Sequence, residues 1–350
     1  MPRLKEPPSL TCRWHAEVDD YVTAVGWSAN GKFLAVASAG GGVVLFDATT
    51  GEPVLRLEGH AGGSLCLAWS PGDRLLATGG QDGTARLWDP AGGQLMAVLP
   101  GGAAWVEHLA WGDAPYLLAT AAGRHLRFWT ADGKHLYETQ PVHTSTISGL
   151  LWQPRVQRFV SSCYGAVLLH APLKAQPVDA FEYRGSLIAL TVSPDGAWVA
   201  CGCQDATVHI WDAKTGEDLQ MNGYALKVRE LAWNGSGRLL ATGGGPDVTV
   251  WDFSGRGPAG QRPRVLSAHG RPVAALAFQH RGNLFATADQ EGKVALWRPL
   301  KSTQVLAVAQ TADPVSVLAW HPSDEVFVTG HASGKLSVWI PPTAGLGFGS

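Results

Sequence analysis

Short apolar segments recur along the chain at a nearly constant interval. Each is six residues long, as in VTAVGW ending at Trp27 and SLCLAW ending at Trp69, which is the usual length of a short β-strand. Eight such segments occur, 40 to 45 residues apart, and they end at Trp27, Trp69, Trp111, Trp152, Val192, Trp233, Phe278 and Trp320. A repeat of this length predicts an array of one small structural unit.

A second column of mostly tryptophan residues follows each segment by about 19 residues and consists of Phe46, Trp88, Trp129, His170, Trp211, Trp251, Trp297 and Trp339. Between the two columns lies another short apolar run, as in RLLAT at 74–78. Turn-forming residues such as SPDG at 193–196 separate the runs, and TTGEPVLRL from residue 49 contains a further turn and strand. We therefore predict four short antiparallel strands in each copy, which is the arrangement of a propeller blade.

The sequence resembles the WD-repeat β-propellers. The resemblance rests on the period, on Gly59-His60 before one copy and on the Trp-Asp pairs at 88–89, 211–212 and 251–252. It implies an all-β fold, a closed eight-bladed β-propeller of four-stranded antiparallel blades. Eight members in each column favour eight blades, with seven blades as the alternative. The fold alone says little about the molecular task.

The domain organisation follows from the two ends of the repeat. We expect an N-terminal tail over 1–9, a single propeller over 10–340 and a C-terminal tail over 341–350. Two consecutive prolines at 341–342 obstruct a further paired strand. The strand-like segment LTCRWHAEV at 10–18 precedes the first blade, so we predict that it closes the last blade as its missing outer strand.

Composition excludes several classes of protein. The 350 residues contain 27 Lys and Arg against 29 Asp and Glu, a formal net charge of −2, and no basic run, so a nucleic-acid partner is not favoured. No apolar stretch approaches the ~18 residues of a membrane helix, and the first residues lack the apolar core of a secretory signal. Five scattered cysteines indicate reduced thiols. We therefore predict a cytoplasmic protein without membrane insertion.

Blade two contains a histidine, a hydroxyl and a carboxylate in an order that superficially suggests a hydrolase triad. The resemblance to the WD-repeat family instead implies a buried structural network of His60, Thr78, Asp82 and Trp88. The set recurs in blade seven with glutamate for aspartate, as His269, Thr287, Glu291 and Trp297. Because nothing indicates an exposed nucleophile or an oxyanion hole, we predict no catalytic residue and no enzyme activity.

Three cysteines offer the alternative hypothesis of a metal-binding or enzymatic propeller. Cys201 and Cys203 lie two apart on one predicted strand, and Cys163 aligns with Cys203 in the neighbouring blade. Spacing supplies no fourth ligand, so buried small residues are the favoured interpretation and no metal is predicted. The glycine clusters lack the phosphate-loop pattern, and no cofactor is predicted.

A non-catalytic scaffold for protein partners remains the favoured function. The loops after strands two and four of each blade lie on one side of the ring, called here the first rim. The resemblance to the WD-repeat propellers implies that partner proteins bind at this rim. The candidate residues carried over to this rim are Tyr21, Trp105, Tyr164, Arg184, Lys227, Gln81, Gln204 and Gln290. Trp105 is the strongest candidate because it belongs to neither tryptophan column, and tryptophan is enriched in interface hot spots.

Overall fold

Eight four-stranded antiparallel sheets follow one another in the computed structural model, which describes residues 7–113, 116–255 and 257–342. They form the eight blades of a β-propeller, so the predicted fold class is confirmed and the seven-bladed alternative is wrong. One short 3-10 turn, Pro71–Asp73, interrupts the described β structure. Within the described residues, no helix is long and apolar enough to cross a membrane.

The strands are numbered in chain order, and β1 (Thr11–Glu17) belongs to the last sheet. The strands of blades one to four are β2 (Val22–Trp27), β3 (Phe33–Ser38), β4 (Val43–Asp47), β5 (Pro53–Leu57), β6 (Ser64–Trp69), β7 (Leu76–Gly80), β8 (Thr84–Trp88), β9 (Leu95–Pro100), β10 (Val106–Trp111), β11 (Leu117–Ala122), β12 (His125–Thr130), β13 (His135–Glu138), β14 (Gly149–Gln153), β15 (Arg158–Cys163), β16 (Ala166–His170) and β17 (Asp179–Glu182). The strands of blades five to eight are β18 (Leu187–Val192), β19 (Trp198–Cys203), β20 (Val208–Asp212), β21 (Asp218–Met221), β22 (Leu231–Trp233), β23 (Leu239–Thr242), β24 (Asp247–Asp252), β25 (Arg264–Ser267), β26 (Val273–Phe278), β27 (Phe285–Asp289), β28 (Lys293–Trp297), β29 (Ala307–Gln310), β30 (Val315–Trp320), β31 (Phe327–His331) and β32 (Lys335–Ile340).

The core lies between the blades rather than in one central mass. The first strand of each blade contacts the first strands of both neighbours, and β30 contacts β2, which closes the ring. The second strands are almost fully buried, whereas the fourth strands are mostly exposed. Each apolar cluster draws its side chains from two adjacent blades. Displacing one blade therefore exposes apolar surface at both of its interfaces.

In five of the eight blades, a tryptophan of the first column donates a hydrogen bond to the preceding blade. Trp69 donates its Nε1–H to the backbone oxygen of Gly26 at 2.9 Å, and Trp111 donates to Ala68 at 3.1 Å. Blades one and eight repeat the bond, from Trp27 to Ala319 and from Trp320 to Ala277. Trp152 instead donates to a carboxylate oxygen of Asp113. The acceptor in four of these bonds is the small fifth residue of the preceding strand.

That fifth residue is small because the next blade approaches it closely. A Cβ atom added to Gly26 would lie 2.6 Å from Cδ1 of Leu67 and 3.5 Å from Cδ1 of Trp69. Atoms cannot pack at the first of these distances without moving. The crowding comes from the neighbouring blade's side chains, which explains why six of the eight residues at this position are glycine or alanine.

Replacing Trp69 with phenylalanine is expected to lower the free energy of unfolding by about 1–3 kcal/mol, since the Gly26 carbonyl loses its donor and a smaller ring leaves space. Chemical denaturation of the wild type and the Trp69→Phe variant measures the change. Trp198→Phe is the matched control, because the described residues include no hydrogen bond from the Trp198 indole to a neighbouring blade. Equal losses in both variants would contradict a role for the indole bond.

The ring is closed by the N-terminal strand. β1 pairs antiparallel with β32, from Thr11 opposite Ile340 to Glu17 opposite Lys335. The preceding residues continue to blade seven, where Leu10 donates its backbone N–H to Val308 at 2.7 Å. The expected tails over 1–9 and 341–350 fall mostly outside the described residues, which begin at 7 and end at 342.

Candidate functional site

The polar side chains predicted to interact in blade two lie within hydrogen-bonding distance of one another. Nδ1 of His60 is 3.0 Å from Oδ1 of Asp82, and its Nε2 is 2.8 Å from Oγ1 of Thr78. Trp88 donates its Nε1–H to the same hydroxyl oxygen at 2.9 Å. When Nδ1–H donates to the carboxylate, the hydroxyl donates to Nε2 and accepts from the indole. Every polar atom in this relay then has a partner.

The hydroxyl and imidazole of the relay are buried, whereas the Asp82 carboxylate is partly exposed. Thr78 is fully buried and His60 is 3% exposed. Burial lowers the pKa of His60, although Asp82 acts in the opposite direction. Desolvation acts to raise the pKa of Asp82, but hydrogen bonds from Thr84 and His60 outweigh it and the pKa is lowered. A nucleophile has to reach its substrate, and the Thr78 hydroxyl has no surface through which to do so.

The relay of blade seven uses a different carboxylate from the one predicted. Nδ1 of His269 is 3.0 Å from Asp289, and its Nε2 is 2.7 Å from Thr287, which also accepts the Nε1–H of Trp297. The assignment of Glu291 to this network is therefore corrected. Asp289 lies two residues after Thr287 on the same pleat face, whereas Glu291 lies in the turn and pairs with the exposed Arg271 at 2.7 Å.

Blades six and eight form related networks from residues that the sequence pattern did not assign. In blade eight, Thr329 contacts Nε2 of His331 at 3.1 Å and accepts the Nε1–H of Trp339. In blade six, the Tyr224 hydroxyl contacts Thr242 at 2.8 Å. The available signal was a column of small, mostly hydroxyl residues on the second strands, namely Thr78, Thr120, Ser161, Cys201, Thr242, Thr287 and Thr329.

Blade four replaces the indole with a second imidazole. The Ser161 hydroxyl lies 2.8 Å from Nε2 of His143 and 2.8 Å from Nε2 of His170, and both histidines are almost fully buried. Burial lowers the pKa of His143 to about 4 and that of His170 to about 3. The serine can donate to only one of the two nitrogens, so the histidines take different tautomers. Both rings are neutral at physiological pH.

The three cysteines do not assemble a metal site in the described part of the chain. Cys201 and Cys203 are buried in the apolar cluster between blades four and five, whereas Cys163 contacts Thr144 and the Tyr164 backbone. No group of three or more His, Cys, Asp or Glu side chains suited to a metal occurs among the described residues. Burial raises the pKa of both Cys201 and Cys203, which keeps these thiols protonated.

The first rim exposes three of the aromatic candidates. Trp105 is 50% exposed, Tyr21 43% and Tyr164 56%. All 15 tryptophans lie in the described residues, and Trp105 is the only one of them whose side chain is exposed. Arg184 is exposed as well, whereas Gln81 is partly buried. These residues lie in different blades, so together they mark much of the first rim.

Three further candidates lie together. Gln204, Lys227 and Gln290 line one depression of about 320 Å³ on the first rim, formed by the loops of blades five, six and seven. A second cavity of about 710 Å³ lies on the opposite side of the ring, where Trp27, Trp69, Trp111 and Trp152 form mainly apolar walls. The sequence period places residues in a column but does not show which loops enclose a depression.

Comparisons with known proteins agree with this geometry. The family model for the WD domain, G-beta repeat, matches residues 7–47, 51–89, 178–212, 260–298 and 301–339. THO complex subunit 3 of Arabidopsis thaliana is 29% identical over 159 residues, which cover 44% of this chain and 49% of that protein. Telomerase protein component 1 of Mus musculus is 27% identical over 181 residues, 49% of this chain and 6% of that protein. The chain thus matches about half or less of the length of these relatives.

A solved structure shows the same fold over nearly the whole chain. The crystal structure of the computationally designed Ika8 protein superposes with a TM-score of 0.79 at 22% sequence identity, covering 93% of this chain and 97% of that one. At this identity the likeness concerns the fold alone.

Proposed function

Because the chain belongs to the WD domain, G-beta repeat family, we propose that it is a non-catalytic scaffold that binds one or more proteins through its first rim. The observation that carries the proposal is Trp105, whose side chain is half exposed outside both tryptophan columns. A large, exposed aromatic side chain that belongs to none of the apolar clusters of the described residues is the type of residue that anchors a protein partner. Two relatives are named as parts of assemblies, a THO complex subunit and a telomerase protein component.

The buried chemistry supports a non-catalytic role. The hydroxyl groups of the blade relays are saturated with hydrogen bonds and lie beneath the surface, as Thr78 and Thr287 show. A near-neutral chain disfavours electrostatic binding of nucleic acid. We place the protein in the cytoplasm, on the basis of its five free cysteines.

Changing Trp105, Tyr21 and Arg184 together to alanine is expected to weaken partner capture about tenfold or more, with the thermal midpoint nearly unchanged, because exposed side chains contribute little to folding. The measurement is quantitative mass spectrometry of proteins cross-linked to the wild type and the variant in native extract. Val54→Ala, Met96→Ala and Val265→Ala together form the matched control, since these exposed apolar residues lie on outer strands rather than on the first rim.

The proposal fails if the rim variant retains the cross-linked proteins at wild-type level. It also fails if the outer-strand control loses the same proteins to the same extent, because the contacts would then depend on general surface hydrophobicity.

A further inference from the structure

The depression of about 320 Å³ on the first rim is preformed by backbone hydrogen bonds, and this inference rests on the proposed function. Leu226 donates its backbone N–H to Gly244 at 2.9 Å, and Val273 donates to Gly245 at 3.0 Å. These bonds join the loops of blade six to each other and to blade seven. A ligand would therefore meet an ordered surface and would pay little to organise it.

The walls of the depression are cationic although the whole chain has a net charge of −2. Lys227 and Arg229 are exposed on the loop that leads into the first strand of blade six. Neither forms an ion pair of 4.0 Å or less with another described residue, whereas nearby Arg271 is already paired with Glu291. Two cations with free donors at one depression attract an anionic group.

One carboxyl group also lines the depression, and its environment limits how far it offsets these cations. Glu230 is partly buried beside Gly243, and burial raises its pKa above the usual value for glutamate. Arg229 attracts the carboxylate and acts to lower this pKa, but no ion pair of 4.0 Å or less joins Glu230 to Lys227 or Arg229 among the described residues, so both cations keep donors for a ligand.

The remaining lining suits a polypeptide rather than a small anion. Leu226 is 48% exposed at one wall, and Pro272 adds a second apolar surface. Gly244 and Gly245 leave the floor free of side chains, and the φ of Gly244 is +99°, where a side chain would be strained. The exposed amides of Gln204 and Gln290 can both donate to and accept from a peptide backbone.

We infer that this depression binds an extended segment of a partner protein in which a glutamate or aspartate side chain lies next to an apolar residue. The carboxylate pairs with Lys227 and Arg229, the apolar side chain packs on Leu226 and Pro272, and the peptide backbone contacts the two glutamines. Arg-carboxylate pairs supply direction as well as attraction, so the segment binds in a defined register.

The test begins with the intact protein and displayed random peptides of about twelve residues, which span roughly 40 Å when extended. We expect the selected peptides to share an acidic residue beside an apolar one. The dissociation constant of a selected peptide is then measured by fluorescence anisotropy. The Lys227→Glu and Arg229→Glu double variant is expected to weaken binding about tenfold or more, and replacing the peptide's acidic residue with its amide is expected to weaken binding to the wild type similarly.

The matched control reverses two exposed cations on the opposite rim, Arg262→Glu and Lys301→Glu, and so changes the net charge equally. Retained affinity in this control supports a local contact. Equal weakening in both double variants would overturn the inference, as would a phosphoserine peptide or a single-stranded oligonucleotide that binds this depression more tightly than the acidic peptide.

Failure of this inference can be separated from failure of the proposed function. If selected peptides lose affinity only in the Trp105, Tyr21 and Arg184 variant, the first rim binds proteins but the cationic depression is not their site. If peptides bind the Lys227 and Arg229 variant with wild-type affinity, this inference is overturned. The proposed function then fails only if the Trp105, Tyr21 and Arg184 variant also retains the cross-linked proteins at wild-type level.

Discussion

Deletion of residues 10–18 is expected to abolish cooperative unfolding of the ring, because it removes the outer strand of blade eight and exposes the edge of β32. The deletion also removes Trp14, which is 8% exposed and donates its Nε1–H to Ala48 at 3.1 Å. Loss of a buried tryptophan alone costs about 3–5 kcal/mol. A whole domain is stable by only about 5–15 kcal/mol.

Calorimetry of the full chain and the deletion variant measures this effect. Arg13→Ala is the control, because this side chain is exposed on the same strand and its removal leaves the pairing of β1 intact. Trp14→Ala is expected to fall between the two, since it removes the core side chain but keeps the backbone hydrogen bonds. A deletion variant with the thermal midpoint of the full chain would refute closure by β1.

Acidification from pH 7 to pH 4.5 is expected to destabilise the protein through its buried histidines, by about 2 kcal/mol for each strongly shifted group. Burial lowers the pKa of His143 to about 4 and that of His170 to about 3 in the folded state, whereas histidine in an unfolded chain has a pKa near 6.5. Between these values the unfolded state binds more protons. Stability present above pH 6.5 is therefore lost as the pH falls through this range.

Urea unfolding at a series of pH values measures the free energy of unfolding directly. The His170→Phe variant provides the comparison, since Phe46 occupies the corresponding position in blade one and is also fully buried. It is expected to show a flatter dependence on pH, because one of the two strongly shifted imidazoles is gone. Equal unfolding free energies at pH 7 and pH 5 in the wild type would contradict this explanation.

The architecture could be predicted from local patterns because its causes are local. Strand length, turn residues and the two tryptophan columns all depend on residues close together in sequence, and eight regular copies leave one arrangement in which every apolar face is covered. The spacing from His60 to Thr78 recurs from His143 to Ser161, from Tyr224 to Thr242 and from His269 to Thr287, and in each pair the structure places the two polar groups in contact.

Other details depend on side-chain direction, which the period does not specify. Glu291 occupies the same column as Asp82, yet Asp289 binds the histidine because its short side chain projects from the strand beside Thr287. His331 joins a relay from within its own second strand, where it belongs to no histidine column. A shift of two residues along a strand keeps the pleat face, so an alternative donor or acceptor can replace the expected one.

The sequence by itself determined the repeat, the number of blades and the residue types available on the first rim. Only the tertiary structure decided that Gln204, Lys227 and Gln290 surround one depression and that Trp105 projects from the surface. The physical reason is that repeat spacing is set by hydrogen bonding within each blade. The grouping of rim side chains instead depends on how loops from neighbouring blades pack across the interfaces.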